Sequence, residues 1–386
     1  MSYLRTVSTR RLLVLCAAVL LGAGAVTAIA LAATGAGTKP PPKPLAQAVE
    51  NALRAPPIKG VTARISFTNR LVDSGTLRGA DPILTGATGR LWASGERLRI
   101  ELQAAPDTGS GDVQVLVAGR RMTVYQSGSR TAYRMTLPND RGPSGAVPSL
   151  ARVQQAITRL SRRVALSGAI PDNVAGRPAY TARGAPRKGA GLLGGAEVSW
   201  DAANGVPLRA AVYAKGDSSP VLELRATDVS FGPVAAGDLA PRLPAPARSV
   251  DFDPGAGGAA RGREVTGLAA VRRKVGFAIA APRTLAGRPR QEVRLVERKG
   301  APAALVTYGQ GLGGIAVLQA AARAADQGGA LGEGGPALPA VSIDGISGEE
   351  LATPLGTLVR FRRDGVQYTV VGSVPRAVAE AAARGL

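Results

Sequence analysis

The sequence predicts an α+β protein that consists mostly of short antiparallel strands and is divided into two domains. Glycine (50 residues) and proline (28 residues) are abundant, and aromatic residues make up only 4% of the chain. That composition is typical of short strands joined by turns. Long stretches alternate apolar and polar residues, which indicates sheets with one buried face. At roughly 100–200 residues per domain, 386 residues allow two or three domains.

The N-terminus has the pattern of an export segment. Residues 1–11 contain three arginines and no acid, and residues 12–33 then carry no charge. This order is typical of a signal peptide or an uncleaved membrane anchor. The length of the run favours an anchor, since about 20 apolar residues span a bilayer. Small residues at Ala28, Ala30 and Ala32 favour cleavage, so both alternatives stay open.

Either alternative places residues 34–386 outside the cytoplasm, at the cell envelope. Residues 34–44 contain Lys-Pro-Pro-Pro-Lys-Pro and are expected to form a stiff, extended spacer. The only cysteine, Cys16, follows three large apolar residues, which argues against a lipidation site. We expect the membrane-facing residues of the apolar run to include Leu12, Leu20 and Ile29.

The first domain is expected at residues 45–245. Leu45, Val49 and Leu53 recur at i, i+4 and i+8 and predict a short amphipathic helix, which Pro56 and Pro57 would end. A second helix is predicted over residues 149–163, with apolar residues on one side at Leu150, Val153, Ile157 and Leu160.

Strands are predicted on both sides of the second helix. Residues 61–67 and 98–102 alternate apolar and polar residues, and 112–125 forms a hairpin with its turn near Gly119. Residues 131–137 add a further strand, and a second series of strands is predicted after the helix, at 174–180, 196–201, 208–213 and 221–231. The pattern predicts an antiparallel sheet with one apolar face and one polar face.

The order of these segments resembles the LolA/LppX-type family of bacterial lipoprotein carriers and lipid-binding lipoproteins. The residues that resemble it are Gly89–Trp92, Val115–Val124, Tyr133–Leu137, Val174–Tyr180, Trp200–Asp201 with Gly205–Leu208, and Thr227–Phe231. The resemblance implies a curled antiparallel β half-barrel, covered by helices, whose apolar concave face holds acyl chains. A β-sandwich with a closed core remains the alternative.

If the resemblance holds, the ligand contacts the apolar face of the first domain. The expected ligand-binding residues are Ile65, Phe67, Leu91, Leu98, Ile100, Leu102, Val115, Val117, Met122, Val124, Tyr133, Met135, Leu137, Val198, Trp200, Leu222 and Leu224. Each buried CH₂ group contributes about 0.8 kcal/mol, so an acyl chain would bind such a face without a polar catalytic group.

A linker is expected at residues 246–265, followed by a smaller α+β domain at 266–386. Strands are predicted at 290–298, 303–308, 358–361 and 368–371, and a closing helix at 376–384. The segments Tyr308–Leu312 and Val370–Pro375 resemble the C-terminal domain of the RseB/MucB family of envelope-stress regulators. That resemblance implies the extracytoplasmic part of an anti-sigma factor as a partner. The long Gly-rich stretch 327–339 departs from the family.

Several kinds of chemistry are excluded by composition or have only weak sequence support. The chain has no histidine and a single cysteine, which excludes His-based triads, His-ligated zinc and internal disulfides. Gly309, Gly311 and Gly314 match a dinucleotide fingerprint in outline, with residues 316–325 as its helix, but glycines in a tight turn explain them equally. Glu349 and Glu350 are interpreted as a solvated turn pair. We expect no catalytic centre, cofactor or metal, although an enzyme that relies on Asp, Glu or Lys alone stays open.

The charge pattern favours a membrane surface over nucleic acid. The net charge is +21, but the basic residues occur singly or in twos and threes, without interleaved aromatic residues. The expected partners are therefore acyl chains of lipid or lipoprotein, an anionic membrane or wall surface, and an anti-sigma factor, with no nucleic acid. The function predicted is a lipid or lipoprotein-acyl carrier or chaperone at the cell envelope. The alternative is an RseB/MucB-like regulator.

Overall fold

The computed structural model divides the chain into two units. It describes residues 37–72, 86–103, 111–137, 149–187, 189, 191–240, 248–252, 265–298, 300–322 and 338–386. The first unit comprises Met1–Lys188 and Gly194–Phe252, and the second comprises Gly189–Leu193 and Asp253–Leu386. The expectations for Leu12, Leu20, Ile29 and the rest of the N-terminal run lie outside the described residues. No helix in the described ranges is both long and apolar enough to cross a membrane.

The first unit contains one large sheet and two helices. Helix α1 (Leu45–Arg54) and helix α2 (Leu150–Ser161) agree with the two predicted helices. The strands are β1 (Val61–Asn69), β2 (Ala87–Ser94), β3 (Arg97–Gln103), β4 (Val113–Ala118), β5 (Arg121–Gln126), β6 (Thr131–Thr136), β7 (Val164–Leu166), β8 (Ile170–Val174), β9 (Arg177–Pro186), β10 (Leu193–Asp201), β11 (Pro207–Ala214), β12 (Pro220–Phe231) and β13 (Arg248–Phe252).

The large sheet is an open sheet in which strand β12 pairs with the first strand, β1. Its order is β13-β6-β5-β4-β3-β2-β1-β12-β11-β10-β9-β7, with β8 paired to β9. Strand β1 therefore joins two halves, one made of β2–β6 and the other of β7–β12. The pairing is antiparallel from β1 to β6, whereas β13 lies parallel to β6.

Two glycines mark points where neighbouring strands approach unusually closely. A Cβ atom added to Gly89 in β2 would lie 1.8 Å from the backbone oxygen of Glu101 in β3. A Cβ atom at Gly194 in β10 would lie 2.1 Å from the backbone oxygen of Ala214 in β11. Glycine inside a strand is typical of such close approaches and of bends in curved sheets.

The second unit is a smaller antiparallel sheet with a C-terminal helix. Its strands run in the order β14-β15-β16-β17-β21-β20-β19-β18. Their bounds are β14 (Thr284–Leu285), β15 (Arg288–Arg298), β16 (Ala301–Tyr308), β17 (Ile315–Ala321), β18 (Ala340–Ile343), β19 (Ile346–Thr353), β20 (Gly356–Arg363) and β21 (Val366–Gly372). Helix α3 (Leu268–Arg272) precedes the sheet and helix α4 (Arg376–Arg384) follows it.

The core of the second unit is formed by valines of the sheet and alanines of α4. Val306, Val317 and Val370 are fully buried, and so are Ala379, Ala382 and Ala383 of the helix. Phe361 and Tyr368 stack with their ring centroids 5.0 Å apart. Pro375 precedes α4 and Gly385 caps it, as the sequence predicts.

The fold class predicted from the sequence is confirmed. The chain is an α+β protein with a curled antiparallel half-barrel sheet, accompanied by helices, and a separate smaller α+β unit. Within the stretch expected to be a linker, Arg248–Phe252 forms strand β13. Its residues Arg-Ser-Val-Asp-Phe alternate in the manner of a strand, and the neighbouring Gly-rich composition masks that signal.

In the second unit, the structure decides between two alternatives after Gly314 and corrects the interpretation of Glu350. The segment after Gly314 is strand β17, because Ile315–Ala321 pairs with β16 and β21 on both sides. Glu350 is 3% exposed in strand β19, and its Oε1 lies 2.6 Å from Nε of Arg376. It is therefore a buried, paired carboxylate and not part of a solvated turn.

Candidate functional site: the apolar face of the large sheet

Cross-strand pairing brings most of the predicted ligand-binding residues onto one face of the large sheet. Because directly paired residues point to the same side, the pairing defines two continuous rows. The first apolar row consists of Val229, Ala63, Leu91, Ile100, Val115, Val124, Tyr133 and Val250. The second apolar row consists of Phe231, Val61, Ala93, Leu98, Val117, Met122 and Met135.

The remaining predicted residues flank these rows. Ile65 and Leu102 both pair with Gly89, next to the rows. Phe67 pairs with Leu224, and Leu222 lies two residues before Leu224 on β12. Leu137 follows Met135 by two positions. The structure therefore places these residues on the same side of the sheet.

Exposure is lowest where the rows cross β1 and β3 and higher where they cross β5 and β6, while Leu91 on β2 and Val229 and Phe231 on β12 are half-buried. In the second row Val61, Leu98 and Val117 are buried, whereas Met122 and Met135 are only half-buried. In the first row Ile100 is buried, Val115 and Val124 are half-buried, and Tyr133 is exposed at 36%. The apolar face is thus a closed core near β1–β3 and is partly open toward β5 and β6.

The other end of the apolar face is covered by helix α1. Ala48 and Ala52 of α1 pack with Tyr180 and Trp200 in a cluster separate from the main one, and Val198 lies at its margin. Helix α1 also contacts helix α2 and α2 contacts β7. Trp200 and Val198, which the sequence predicts as ligand-binding, are therefore packed against a helix. The indole Nε1 of Trp200 is buried and has no hydrogen-bond partner among the described residues.

The polar face of the same sheet carries a ladder of alternating charges across four strands. Arg183 on β9 donates from Nε to Glu197 Oε2 on β10 at 2.8 Å. Arg209 on β11 pairs with Glu197 and with Glu223 on β12, and its Nη2 donates to the Tyr213 hydroxyl at 2.9 Å. Because each charge meets an opposite one, these buried groups are paired without a ligand.

Burial and neighbouring charges together shift the pKa values of two residues of the ladder. Burial lowers the pKa of Arg209, but Glu197, Tyr213 and Glu223 together raise it by more, so its net pKa is raised. Burial also raises the pKa of Tyr213, against the opposing effect of Arg209. Neither shift produces a proton donor or acceptor that works near neutral pH. The ladder is therefore a structural network.

A buried arginine on the polar face of β3 departs from the expected pattern. Alternation predicts that Arg99 is solvated, but it is 1% exposed. Its guanidinium lies 5.3 Å from the ring centroid of Trp92, and Nη1 donates to the backbone oxygen of Asp238 at 3.1 Å. Arg99 therefore attaches the turn Ala236–Leu239 to the sheet, which period-two alternation alone does not reveal.

The sequence prediction omitted several members of the rows. Val229, Phe231, Val61, Ala63 and Ala93 pair directly with predicted residues. Their alternation was visible in the sequence, but small side chains such as Ala63 and Ala93 were not weighted as ligand contacts. Val250 required knowledge that β13 pairs with β6. Within the described ranges, no group of three or more His, Cys, Asp and Glu residues is placed to hold a metal ion.

Comparison with known proteins gives likeness in structure only. No protein-family model matches the chain, and no curated protein matches it. Among solved structures, the complex of Pseudomonas aeruginosa MucA/MucB matches with a TM-score of 0.41 at 17% identity, over 88% of this chain and 94% of that chain. Crystals of MucB in complex with MucA(peri) give a TM-score of 0.42 at 17% identity, with the same coverage.

A weaker similarity covers about half of this chain. The LolA superfamily protein of Nitrosomonas europaea matches with a TM-score of 0.22 at 11% identity, over 52% of this chain and 98% of that chain. These are the two kinds of protein that the sequence pattern resembles. Identities and TM-scores of this size decide neither a ligand nor a partner.

Proposed function

We propose that the chain binds acyl chains of lipid or lipoprotein at the cell envelope, as a carrier or chaperone. The observation that carries the proposal is the higher exposure of the two apolar rows where they cross β5 and β6, at half-buried Met122, Val124 and Met135 and exposed Tyr133. Large apolar side chains that remain accessible together on one face are typical of a binding surface.

An acyl chain suits this face because its chemistry is uniform. The rows cross seven or eight strands that lie roughly 4.8 Å apart, so a linear apolar guest would find methyl and methylene groups along its whole length. The exposed part ends in Met122 and Met135, and methionine adapts to guests of irregular shape. Without histidine, the chain lacks the usual general base, and binding by burial alone requires none.

The test compares two faces of the same strand. Tyr133 and Met135 of β6 lie on the apolar face, and Arg134 and Thr136 lie on the other face. We expect the double variant Tyr133→Gln/Met135→Gln to bind a fluorescent long-chain fatty acid about tenfold more weakly, equivalent to lost contact with about two methylene groups. The matched control Arg134→Gln/Thr136→Gln is expected to bind as wild type does.

Material from the native host supplies a second measurement. Mass spectrometry of the purified chain is expected to detect acylated species that co-purify with wild type and with the control, in smaller amounts with the apolar-face variant. Equal amounts in all three, or no fatty-acid binding by wild type, would rule out the apolar face as an acyl site.

A regulatory role is the second candidate, and one structural observation favours it. The two segments that resemble the RseB/MucB C-terminal domain, Tyr308–Leu312 and Val370–Pro375, lie on either side of Ile315 of β17, which pairs with Tyr308 and with Gly372. In this case the second unit would bind the extracytoplasmic part of an anti-sigma factor. Capture of such a membrane protein by wild type, abolished by changes in these segments while fatty-acid binding persists, would support the regulator.

A further inference from the structure

Helix α2 presents an unusual combination of exposed leucines and arginines. Leu150 is exposed at 38% and Leu160 at 50%, although the sequence predicts both on a buried side. Only Val153 of this helix is buried, and Ile157 is half-buried. The helix thus uses its central apolar residues for packing and leaves both apolar ends in water.

Basic residues lie on the exposed side next to Leu160, whereas Leu150 lies on the opposite side, near Ile157. Arg152 and Arg159 recur at i and i+7 along one side of the helix, beside Ala156 and Leu160. Arg162 and Arg163 follow in the turn after the helix ends at Ser161. Arg187 of the neighbouring strand segment donates from Nε to the Ser161 backbone oxygen at 2.8 Å and adds a fifth charge at the same end.

Among the described residues, no carboxylate neutralises these charges. The sequence from Ser149 to Pro171 contains no Asp or Glu. Within the described part of the chain, none of the five arginines makes an ion pair. The adjoining helix α1 contains one acid, Glu50, which pairs with Arg54 at 3.0 Å.

We propose that helix α2 is a docking site for an anionic lipid surface, with Leu160 entering the acyl boundary and the arginines lying at the phosphate groups. Large apolar residues beside a basic helical face are typical of helices that lie in a membrane interface. The charge favours a lipid surface over a second copy of this chain, since two copies of the same basic face would repel. This site is separate from the apolar rows, so it does not depend on acyl-chain binding.

The experiment must distinguish this helix from the apolar N-terminal run, which would itself hold the full chain on vesicles. A local probe does so. Cys16→Ala removes the only cysteine, and Ala156→Cys, which is exposed between the arginines, then carries an environment-sensitive fluorophore. The full chain is reconstituted into vesicles of phosphatidylcholine alone or with a quarter phosphatidylglycerol, each containing a quencher lipid. A probe at exposed Ala118→Cys serves as the reference position.

We expect strong quenching at position 156 in the anionic vesicles, weak quenching in the neutral vesicles, and none above background at position 118. Each basic residue near an anionic surface contributes about a fivefold factor to binding. The triple variant Arg152→Gln/Arg159→Gln/Arg163→Gln is therefore expected to dock roughly a hundredfold more weakly. Leu160→Ser is also expected to weaken the quenching.

Matched controls remove equal charge and equal apolar surface elsewhere. Arg97→Gln/Arg121→Gln/Arg134→Gln changes three exposed arginines on β3, β5 and β6, and Leu312→Ser changes another exposed leucine. Both are expected to dock as wild type does. Equal quenching at 156 and 118, equal quenching in neutral vesicles, or loss of docking in the controls would overturn the proposal. Fatty-acid binding by the α2 variants stays at the wild-type level if the two sites are separate.

Discussion

The two sheets of this protein differ in how their apolar faces are closed. In the second unit, the alanines of α4 and the valines of the sheet are fully buried, and the core is sealed. In the first unit, the apolar rows are buried at β1 and β3 and half-buried or exposed at β5 and β6. Similar alternating strands therefore produce a closed core in one unit and a partly open face in the other.

The number and placement of helices explain the difference. Helix α4 packs on β18, β20 and β21 of the smaller sheet, and its Ala379, Ala382 and Ala383 allow close approach. In the larger sheet, α1 and α2 contact each other, and α1 packs around Tyr180 and Trp200 at one end. A wide sheet needs more covering surface than two short helices supply. This comparison predicts where substitutions are costly and where they are tolerated.

The largest expected effect contrasts the sealed core with the open edge. Phe361→Ala removes a 2% exposed ring stacked on Tyr368 and is expected to lower the free energy of unfolding of the second unit by about 3–5 kcal/mol. Met135→Ala at the half-buried edge is expected to cost the first unit less than about 1 kcal/mol. Hydrogen exchange of peptides from each unit in increasing urea measures both. A cost at Met135 similar to that at Phe361 would mean that the apolar face is fully packed.

An intermediate effect tests the curvature of the large sheet. Gly89→Ala forces a Cβ atom into the backbone of Glu101 and is expected to destabilise the first unit by about 1–3 kcal/mol. The control is Gly232→Ala, where a Cβ atom meets nothing within 4 Å, and it is expected to be neutral or slightly stabilising. Urea unfolding followed by Trp fluorescence reports on this unit, since Trp92 and Trp200 both lie in it. Equal midpoints for the two variants would show that β2 and β3 do not approach this closely.

The smallest effect concerns two carboxylates at α4 whose pKa values shift in opposite directions. Burial raises the pKa of Glu350 above its ordinary 4.5, and Arg376 offsets part of this rise. Hydrogen bonds from Arg384 and Arg376 lower the pKa of Glu380. Glu350 therefore contributes stability at pH values below its ordinary pKa and loses it as the pH rises through the raised pKa. Glu380 contributes stability above its ordinary pKa and loses it as the pH falls through the lowered pKa.

The two glutamine variants are expected to give opposite trends. As the pH rises, Glu350→Gln becomes more stable relative to wild type, and Glu380→Gln becomes less stable relative to wild type. Thermal unfolding at a series of pH values between about 3 and 7 measures both trends. Parallel trends would indicate that Glu350 is hydrated, in which case the core beneath α4 is less sealed than the burial of its alanines indicates.

Much of the fold could be predicted because short-range patterns determine it. Alternation in segments such as 98–102 and 131–137 identifies strands and assigns each residue to a face. The helical spacing of Leu45, Val49 and Leu53 identifies α1. Interpretations failed where composition was misleading. The glycines before Ile315 left a helix open for a segment that forms strand β17. The Gly-rich surroundings of β13 obscured the alternating pattern of that strand.

The candidate site could be predicted in part. The sequence identified the apolar face, but the extent of its exposure depends on which segments cover it. Arg99 and Glu350 were expected in solvent because charged residues are rarely buried. Both are buried with partners: Arg99 pairs with Glu101 and donates to the Asp238 backbone, and Glu350 pairs with Arg376. Leu150 and Leu160 were expected in the core, yet the packing of α2 leaves them in water.

The sequence by itself determined the strands, the helices and the side of the sheet on which each side chain lies, because these depend on the dihedral preferences and spacing of neighbouring residues. Only the tertiary structure decided that β13 extends the apolar rows, that the rows open toward β6, and that α2 exposes Leu160 beside arginines. These features depend on contacts between residues far apart in the chain, and local periodicity carries no information about them.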